Sequence, residues 1–398
     1  SGARGNEKQM KRILPSFLQN AVELSFMGVT FLTGLAIAFL VPVLSLFLSD
    51  ELHVRPLLVG AFFTTNAVMG IIIGQLLANY SDKMRSRKLL ITVCGIAGVI
   101  GSLLYAFDRH YAVLASLGIV LMSFCGSITP QLYALAREYT DAKNKQAVTF
   151  STVMRAQFSL AWVIGPPLAF FIVAHFDFTR LFCGVAVLYM LCVWVIARYL
   201  PVIPRKQTPT DPLSGSIWQN SRLCLLFLSS FLLWTCNSMY LITMPLYIGK
   251  ALHWSQGLAG WLMGLAAGLE IPVMLLAGRY SARLGNRKLL LISAISAVAF
   301  YLLLLLSQQQ LWLFLAQILN ALFIGILAGI GMTCFQDLLP GHPGQASTLF
   351  SNSIRCGGIV AGMLAGTITE WFHFQGVFIC ALILSIFAML SVWRISAL

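Results

Sequence analysis

Charge is what this sequence has least of. Only 10% of its 398 residues are Asp, Glu, Lys or Arg, against about a quarter in soluble domains, while 59% are hydrophobic and the mean hydropathy is +0.84. That balance excludes soluble enzymes and nucleotide-binding modules, which need a polar surface. Acids are scarcer than bases: 13 Asp and Glu against 26 Lys and Arg, a formal net charge of +13. A nucleic-acid binder gathers its basic residues on one exposed face; here they fall in short clusters between apolar runs, so no nucleic-acid partner is expected. Metal-ligand clusters are lacking too. Cys94, Cys125, Cys183, Cys192, Cys224, Cys236, Cys334, Cys356 and Cys380 stand singly in apolar runs, not at ligand spacing, and read as small buried hydrophobes. No metal or cofactor is expected. The opening Ser1-Gly-Ala-Arg-Gly5 has no initiator Met and is set aside as a processed or added start.

What is present is apolar length. Stretches of about 20 residues occur twelve times, at roughly 22–48, 57–80, 89–107, 111–136, 147–174, 180–198, 222–249, 257–279, 289–306, 311–336, 345–369 and 375–393. Backbone amides in hydrocarbon must be satisfied within the segment, and the runs are too long and uniform for barrel strands, so twelve transmembrane helices are expected. Positive residues stay on the cytoplasmic side. With both termini inside, the inner segments hold 20 of the 26 Lys and Arg and the outer ones only Arg55, Arg109, Arg180 and Lys250. Both termini are therefore expected to be cytoplasmic. The segment 199–221, broken by Pro201, Pro204, Pro209 and Pro212, reads as a cytoplasmic linker after an N-terminal segment (1–21) and a first six-helix half (22–198), and before a second half (222–398).

The halves repeat. A shift of 200 places Tyr80-Ser81 and Arg87-Lys88-Leu89-Leu90 on Tyr280-Ser281 and Arg287-Lys288-Leu289-Leu290. The same shift superposes Leu52-His53 on Leu252-His253, Gly60 on Gly260, and Phe150-Ser151 with Arg155 on Phe350-Ser351 with Arg355. Two parallel six-helix repeats are the internal symmetry of alternating-access carriers, with the cargo near the midplane between halves.

The segment Ala78-Asn-Tyr-Ser-Asp82-Lys-Met-Arg-Ser-Arg87-Lys88 resembles the loop signature of the major facilitator superfamily between helices 2 and 3. It departs at both glycines, at Ala78 and Arg85; the second copy, Gly278 to Lys288, keeps the glycines but has Ala282 for the acid. More narrowly, Ala134-Leu-Ala-Arg-Glu-Tyr139, the run Arg155 to Ala169, Ala267-Gly-Leu-Glu-Ile-Pro272, and Asn320 to Met332 with Phe335-Gln-Asp337 resemble the bacterial sugar efflux transporters of that superfamily. The resemblance implies proton-linked export of sugars and glycosides such as lactose, glucose or thiogalactosides through the bacterial inner membrane by a monomer. A multidrug/proton antiporter of the same fold is the alternative. It would carry more aromatics and fewer amides along its path. A membrane enzyme would need clustered His or acids at one face, whereas the six histidines are spread through separate loops.

Spans 3, 6, 9 and 12 hold no Asn, Gln or charged residue within 89–107, 181–197, 289–306 and 376–393. They are expected at the periphery, with the other eight around a polar path, because polar groups in hydrocarbon turn to a bundle interior or a cavity. The substrate-facing candidates are Asn66, Gln131, Gln157, Asn237, Glu270, Gln317, Asn320 and Asn352, with Trp162, Trp234 and Tyr240 able to stack on a sugar ring. Glu270 alone among the acids sits deep in an apolar run, and Pro272 beside it frees a backbone carbonyl. It is read as both cargo ligand and site of the coupling proton, the two competing as antiport requires; a structural glutamate locked to an arginine is the competing reading. Arg155 and Arg355 either bind substrate or anchor an inner gate, pairing with Asp82, Glu138 or Asp337 when the cytoplasmic side is closed, a group to which Arg87 and Arg137 also belong. Glu23 is placed at the inner membrane edge.

Overall fold

The computed structural model of the protein describes residues 20–81, 84, 86–145, 147–203, 217–339 and 343–395, and among them the regular structure is helical. Eleven stretches are long and apolar enough to cross a bilayer. We label them α1 (Ala21–Leu46), α2 (Pro56–Ser81), α3 (Lys88–Phe107), α4 (Tyr111–Ala142), α5 (Ala147–His175), α6 (Phe178–Tyr199), α7 (Ser221–Leu246), α8 (Gln256–Leu284), α9 (Asn286–Leu306), α10 (Gln310–Leu338) and α11 (Pro343–Arg394). Side chains at the ends satisfy orphan amides: Asn20 accepts from the Val22 N–H at 2.9 Å, Asp177 from Arg180 at 2.7 Å and Asn220 from Arg222 at 3.1 Å.

The 52 residues of α11 would run about 78 Å if straight, more than twice a hydrocarbon core of about 30 Å. They do not. Ser353 Oγ lies 2.7 Å from Ser230 Oγ, and the Ala381 carbonyl accepts from Cys236 at 3.3 Å. Ser230 and Cys236 are about 9 Å apart along α7, whereas a straight helix would put Ser353 and Ala381 about 42 Å apart. The stretch therefore folds back at His373, whose φ 62° and ψ −176° are not helical, and both arms pack on α7. The expected runs 345–369 and 375–393 lie one on each side of His373.

The offset of 200 recurs in local structure at one pair of helices. The bounds of α1 and α7 differ by 200, and each continues into a five-residue π turn, Phe47–Glu51 and Tyr247–Ala251. Each ends on a histidine at positive φ, His53 at 52° and His253 at 53°, with matched closing bonds from Leu52 to Phe47 and from Leu252 to Tyr247. Glycine usually fills such a left-handed end. Here histidine does so twice.

Lipid association lacks a hydrophobic drive, so close helix contact in a membrane depends on small residues. Two glycine seams join the halves. On one, a Cβ at Gly60 of α2 would stand 2.2 Å from the Gly362 carbonyl of α11; on the other, a Cβ at Gly260 of α8 would stand 2.6 Å from the Pro166 carbonyl of α5. Both seams loosen toward the face that carries the chain ends, which we call the terminal face. Along α2–α11 the approach widens to 3.7 Å at Gly358 and 4.0 Å at Gly74; along α5–α8 it stays at 2.6 Å at Gly264 and reaches 3.8 Å at Gly268. The halves are thus packed at the opposite face and splayed at the terminal face. The opposite face is also tied by polar contacts. Arg55 pairs with Glu370 at 3.5 Å, the Leu57 N–H donates to Glu370 at 2.9 Å, and Lys250 pairs with Asp50 at 3.4 Å.

Exposed apolar side chains show what meets lipid. In α3 they form a stripe of Leu89, Val93, Ile96, Ile100, Leu103 and Phe107, and the second arm of α11 shows Ile379, Ile383, Ile386 and Leu390. Within α1 and α7, by contrast, Leu24 and Leu228 are the only large exposed apolar residues. These two helices sit innermost.

Candidate functional site

The strong polar side chains separate into three groups. The first is a connected chain in the second half. Gln317, fully buried on α10, donates its amide N–H groups to the Tyr240 hydroxyl at 3.3 Å and to the Leu313 carbonyl at 3.2 Å, and its oxygen accepts from Asn320 Nδ2 at 3.1 Å. Tyr240 is held edge-on against Phe300 at 5.1 Å. The Asn320 Oδ1 is buried and has no partner.

The second group consists of half-buried residues that make no hydrogen bond or ion pair among the described residues: Asn66, Gln157, Asn237, Glu270, Asn352 and Arg355. Trp162 and Trp234 join it through buried indole N–H groups without an acceptor. Trp234 packs on Phe350 at 6.3 Å and against Gly357 of α11. Glu270 lies at the middle of α8, 14 residues from Gln256 and 14 from Leu284, or about 21 Å from each end. The exposed face of α8 is Trp261, Leu265 and Leu276; at about 100° per residue Glu270 points to the opposite side, away from lipid. Gly325 of α10 packs on its backbone carbonyl and on Val273. In this conformation the glutamate is not locked to an arginine. The Arg355 guanidinium instead reaches toward Gly74 of α2, and Arg155, exposed on α5, donates to the Met332 sulfur of α10 at 3.7 Å. Both arginines lie along the splayed part of the seams.

The third group sits at the terminal face and is internal to each half. Buried Arg87 donates to Glu138 at 2.9 Å, to Ser81 at 3.1 Å and to Gln131 at 2.7 Å, which ties α2, α3 and α4 together. In the other half Asn286 donates to Asp337 at 2.8 Å while Ser281 donates to Asn286 at 2.6 Å, and Arg287 turns away to the Trp393 carbonyl.

Other expected site residues are engaged within one half in this conformation. Gln131 belongs to the Arg87 cluster, since its oxygen is taken by Arg87 and its nitrogen by Ser81 at 3.3 Å, leaving little to offer a substrate. In this conformation, splayed at the terminal face, Glu138 pairs with Arg87 of its own half. Arg137 is exposed and pairs within its helix with Asp141 at 3.4 Å, a contact of a few tenths of a kcal/mol that closes nothing across the halves. Tyr240 and Gln317 lie in the core of the second half. Asp82 is outside the described residues.

Two features escaped sequence reasoning. The first is Glu23, expected at the membrane edge but fully buried. Lys145 of the α4–α5 loop donates to it, as does the Tyr139 hydroxyl at 3.4 Å. This hydrogen bond holds the Lys145 ammonium above the ordinary lysine range. The spacing Asn20-x-x-Glu23, a capping pattern at a helix start, was the available signal. The second is the opposite-face latch of Arg55 with Glu370 and Lys250 with Asp50, whose pairing no local pattern reveals.

A bundle of apolar helices in two halves, closed at one face and carrying unpartnered polar groups at mid-depth, defines a multi-pass membrane carrier. The comparisons make this specific. The sequence profile of the Major Facilitator Superfamily matches residues 26–223 and again 226–396. The chain is 46% identical over 385 residues to sugar efflux transporter A of Dickeya chrysanthemi, covering 96% of this chain and 97% of that one. It is 25% identical to the multi-drug resistance efflux pump PmrA of Streptococcus pneumoniae, over 87% and 89% of the two chains. A solved structure of a mutant of the nucleoside transporter NupG superposes with a TM-score of 0.82 at 17% identity, covering 94% of this chain and 99% of that one, which shows the shared fold. The chain belongs to the major facilitator superfamily and, within it, to the bacterial sugar efflux transporter family. It is a transporter and not an enzyme.

Proposed function

We propose that the chain exports sugars and glycosides such as lactose, glucose or thiogalactosides through the bacterial inner membrane, in exchange for protons, by alternating access of two parallel six-helix repeats. The arms of α11 supply the eleventh and twelfth helices. In this reading residues 22–198 and 222–398 are the halves, 199–221 is the linker, and the terminal face is cytoplasmic, so the conformation described is inward-facing and the protein works as a monomer. One observation carries the proposal: at the level where the seams part, Glu270, Asn237, Trp162, Trp234 and Asn320 offer polar atoms without partners. Unpaired polar groups are costly within a membrane, and a polyhydroxyl cargo supplies partners for both the acceptors and the indole donors. The amides along this path, with identity of 46% to a sugar exporter against 25% to a multidrug pump, favour sugar over the multidrug alternative.

The test is purified protein in liposomes with an acidic interior and a panel of labelled sugars outside. Protons leaving the vesicle should drive sugar in above equilibrium, and a proton ionophore should abolish the accumulation. Equilibration of sugar without accumulation would remove the proton; accumulation of lipophilic cations but of no sugar would favour the multidrug reading.

A further inference from the structure

We infer that Asn320 is the cargo-facing hydroxyl acceptor of the path and that Gln317 and Tyr240 never touch cargo but are positioning residues that fix its amide. This deepens the sugar-export reading and rests on it. Along α10 the exposed residues Leu311, Leu315 and Ile318 mark the lipid side. At about 100° per residue Asn320 lies on the far side of the helix from all three. One N–H of its Nδ2 is held by Gln317, which fixes how the amide is turned, and its oxygen is buried and unpartnered. An acceptor with no donor at mid-membrane is an incomplete hydrogen bond, and its complement is a neutral O–H. Among the described residues no Lys or Arg hydrogen-bonds to it.

The Gln317 side chain has a different fate. Its two N–H groups are used by Tyr240 and Leu313 and its oxygen by Asn320, with no exposed surface at all. It therefore has no donor left for a ligand, but it decides which way the Asn320 amide faces. Tyr240 decides in turn which way Gln317 faces, and the edge contact with Phe300 fixes the ring. The chain Tyr240 to Gln317 to Asn320 links α7 to α10, so orientation of the acceptor is set by the packing of two helices and not by the cargo. A site built to receive a hydroxyl rejects an analogue lacking it, because the buried partner is then left unpaired.

The experiment compares transport KM for the best sugar of the panel and its monodeoxy analogues. In the wild type, one deoxy position should raise KM about tenfold. Asn320→Leu should raise KM for the parent sugar by a similar factor and leave that deoxy analogue unchanged, so that discrimination at the position vanishes. Gln317→Leu should abolish the same discrimination, Tyr240→Phe should reduce it in part, and Gln317→Glu, which keeps an oxygen opposite Asn320 Nδ2, should restore it. A purely structural tie would change Vmax or yield without touching the parent-to-deoxy ratio. An unaltered deoxy pattern in Asn320→Leu would overturn the ligand, and loss of discrimination in Asn320→Leu but not in Gln317→Leu would overturn the positioning chain. Tyr240→Phe, the mildest change, keeps the second point decidable should Gln317→Leu fail to fold. A wild-type protein that moves no sugar would instead overturn the export reading itself.

Discussion

A methyl group at Gly60 should drive the protein toward the conformation open at the opposite face. The ideal Cβ there would stand 2.2 Å from the Gly362 carbonyl oxygen, 2.6 Å from Gly366 Cα and 2.8 Å from Gly366 N. All three are backbone atoms, so no rotamer change relieves the overlap, and α2 must move away from α11 by about 1 Å to reach ordinary contact. Overpacking of this kind costs about 1–3 kcal/mol, and only where the seam is closed. The gain in helix propensity from Gly to Ala, up to about 1 kcal/mol, is the same in every conformation and cancels. At 1.4 kcal/mol per tenfold, Gly60→Ala should shift the ratio of opposite-face-open to closed forms by about 5- to 150-fold. The assay is labelling of Val59→Cys, buried in this conformation, by an impermeant maleimide from the opposite side, in a variant lacking the native cysteines. Gly70→Ala, with nothing within 4 Å of the added carbon, is the control. Equal labelling rates for Gly60→Ala and the parent would refute the seam as the closure, as would an equal acceleration by Gly70→Ala.

Glu270→Gln should lose proton-driven accumulation while keeping counterflow of sugar, and Glu270→Ala should lose both; a wild-type gradient in Glu270→Gln would move the proton site elsewhere. Glu370→Gln should open the opposite face by at most about fivefold, since the partly exposed Arg55 pair is worth no more than about 1 kcal/mol, and a larger effect in the Val59→Cys assay would mean the latch outweighs the glycine seam. Lys145→Met should lower the melting temperature by removing the cation from a buried carboxylate, at a cost discounted to about 1–3 kcal/mol because the lysine is partly exposed. Because the Lys145 pKa is raised in the fold, its contribution is complete below the ordinary lysine value of about 10.4 and fades only as pH rises through the higher folded value. The Lys145→Met deficit should therefore be constant between about pH 6 and pH 9, and a deficit that titrates there would contradict the assignment.

Much of the fold was legible because a bilayer leaves few choices. Apolar length marked most helices to within a few residues, and the offset of 200 had already matched Leu52-His53 with Leu252-His253, where the structure places paired histidines at positive φ. What stayed hidden was pairing across long separations. Whether Gln131 faces a path or a guanidinium depends on Arg87, 44 residues away. Whether Asp50 is free depends on Lys250, which no local pattern connects to it. Composition announced that polar groups occur on α2, α4, α5, α7, α8, α10 and α11, but an amide spent inside one half and an amide left unpaired look alike in sequence. Only contacts separate Gln317 from Asn320.

The offset of 200 separates two kinds of residue. Features that recur at the offset of 200 are architectural: the π turns, His53 and His253, Gly60 and Gly260, Arg155 and Arg355. Apart from Arg355, the polar groups without partners do not recur. Opposite Glu270 stands Gly70, opposite Asn320 stands Val120, opposite Asn237 stands Ile37, and opposite Trp234 stands Gly34. The positioning pair behaves likewise, with Gln317 matched by Leu117 and Tyr240 by Leu40. Polar residues of the first half are equally unmatched, as Gln157 faces Gly357 and Asn66 faces Ala266 in the alignment. Two-fold symmetry suits a seam formed by two like halves, but a sugar is chiral and has no such axis. A site that grips it must therefore break the symmetry that the closure preserves. The same break appears in charge at the opposite face, where Asp50 and Lys250 occupy equivalent positions with opposite sign and so attract where identical residues would repel. Divergence between the halves thus serves two ends: it gives the closed face an ion pair across the repeat, and it concentrates the unpaired acceptors Glu270 and Asn320 in the second half, making that half the one expected to discriminate among sugars.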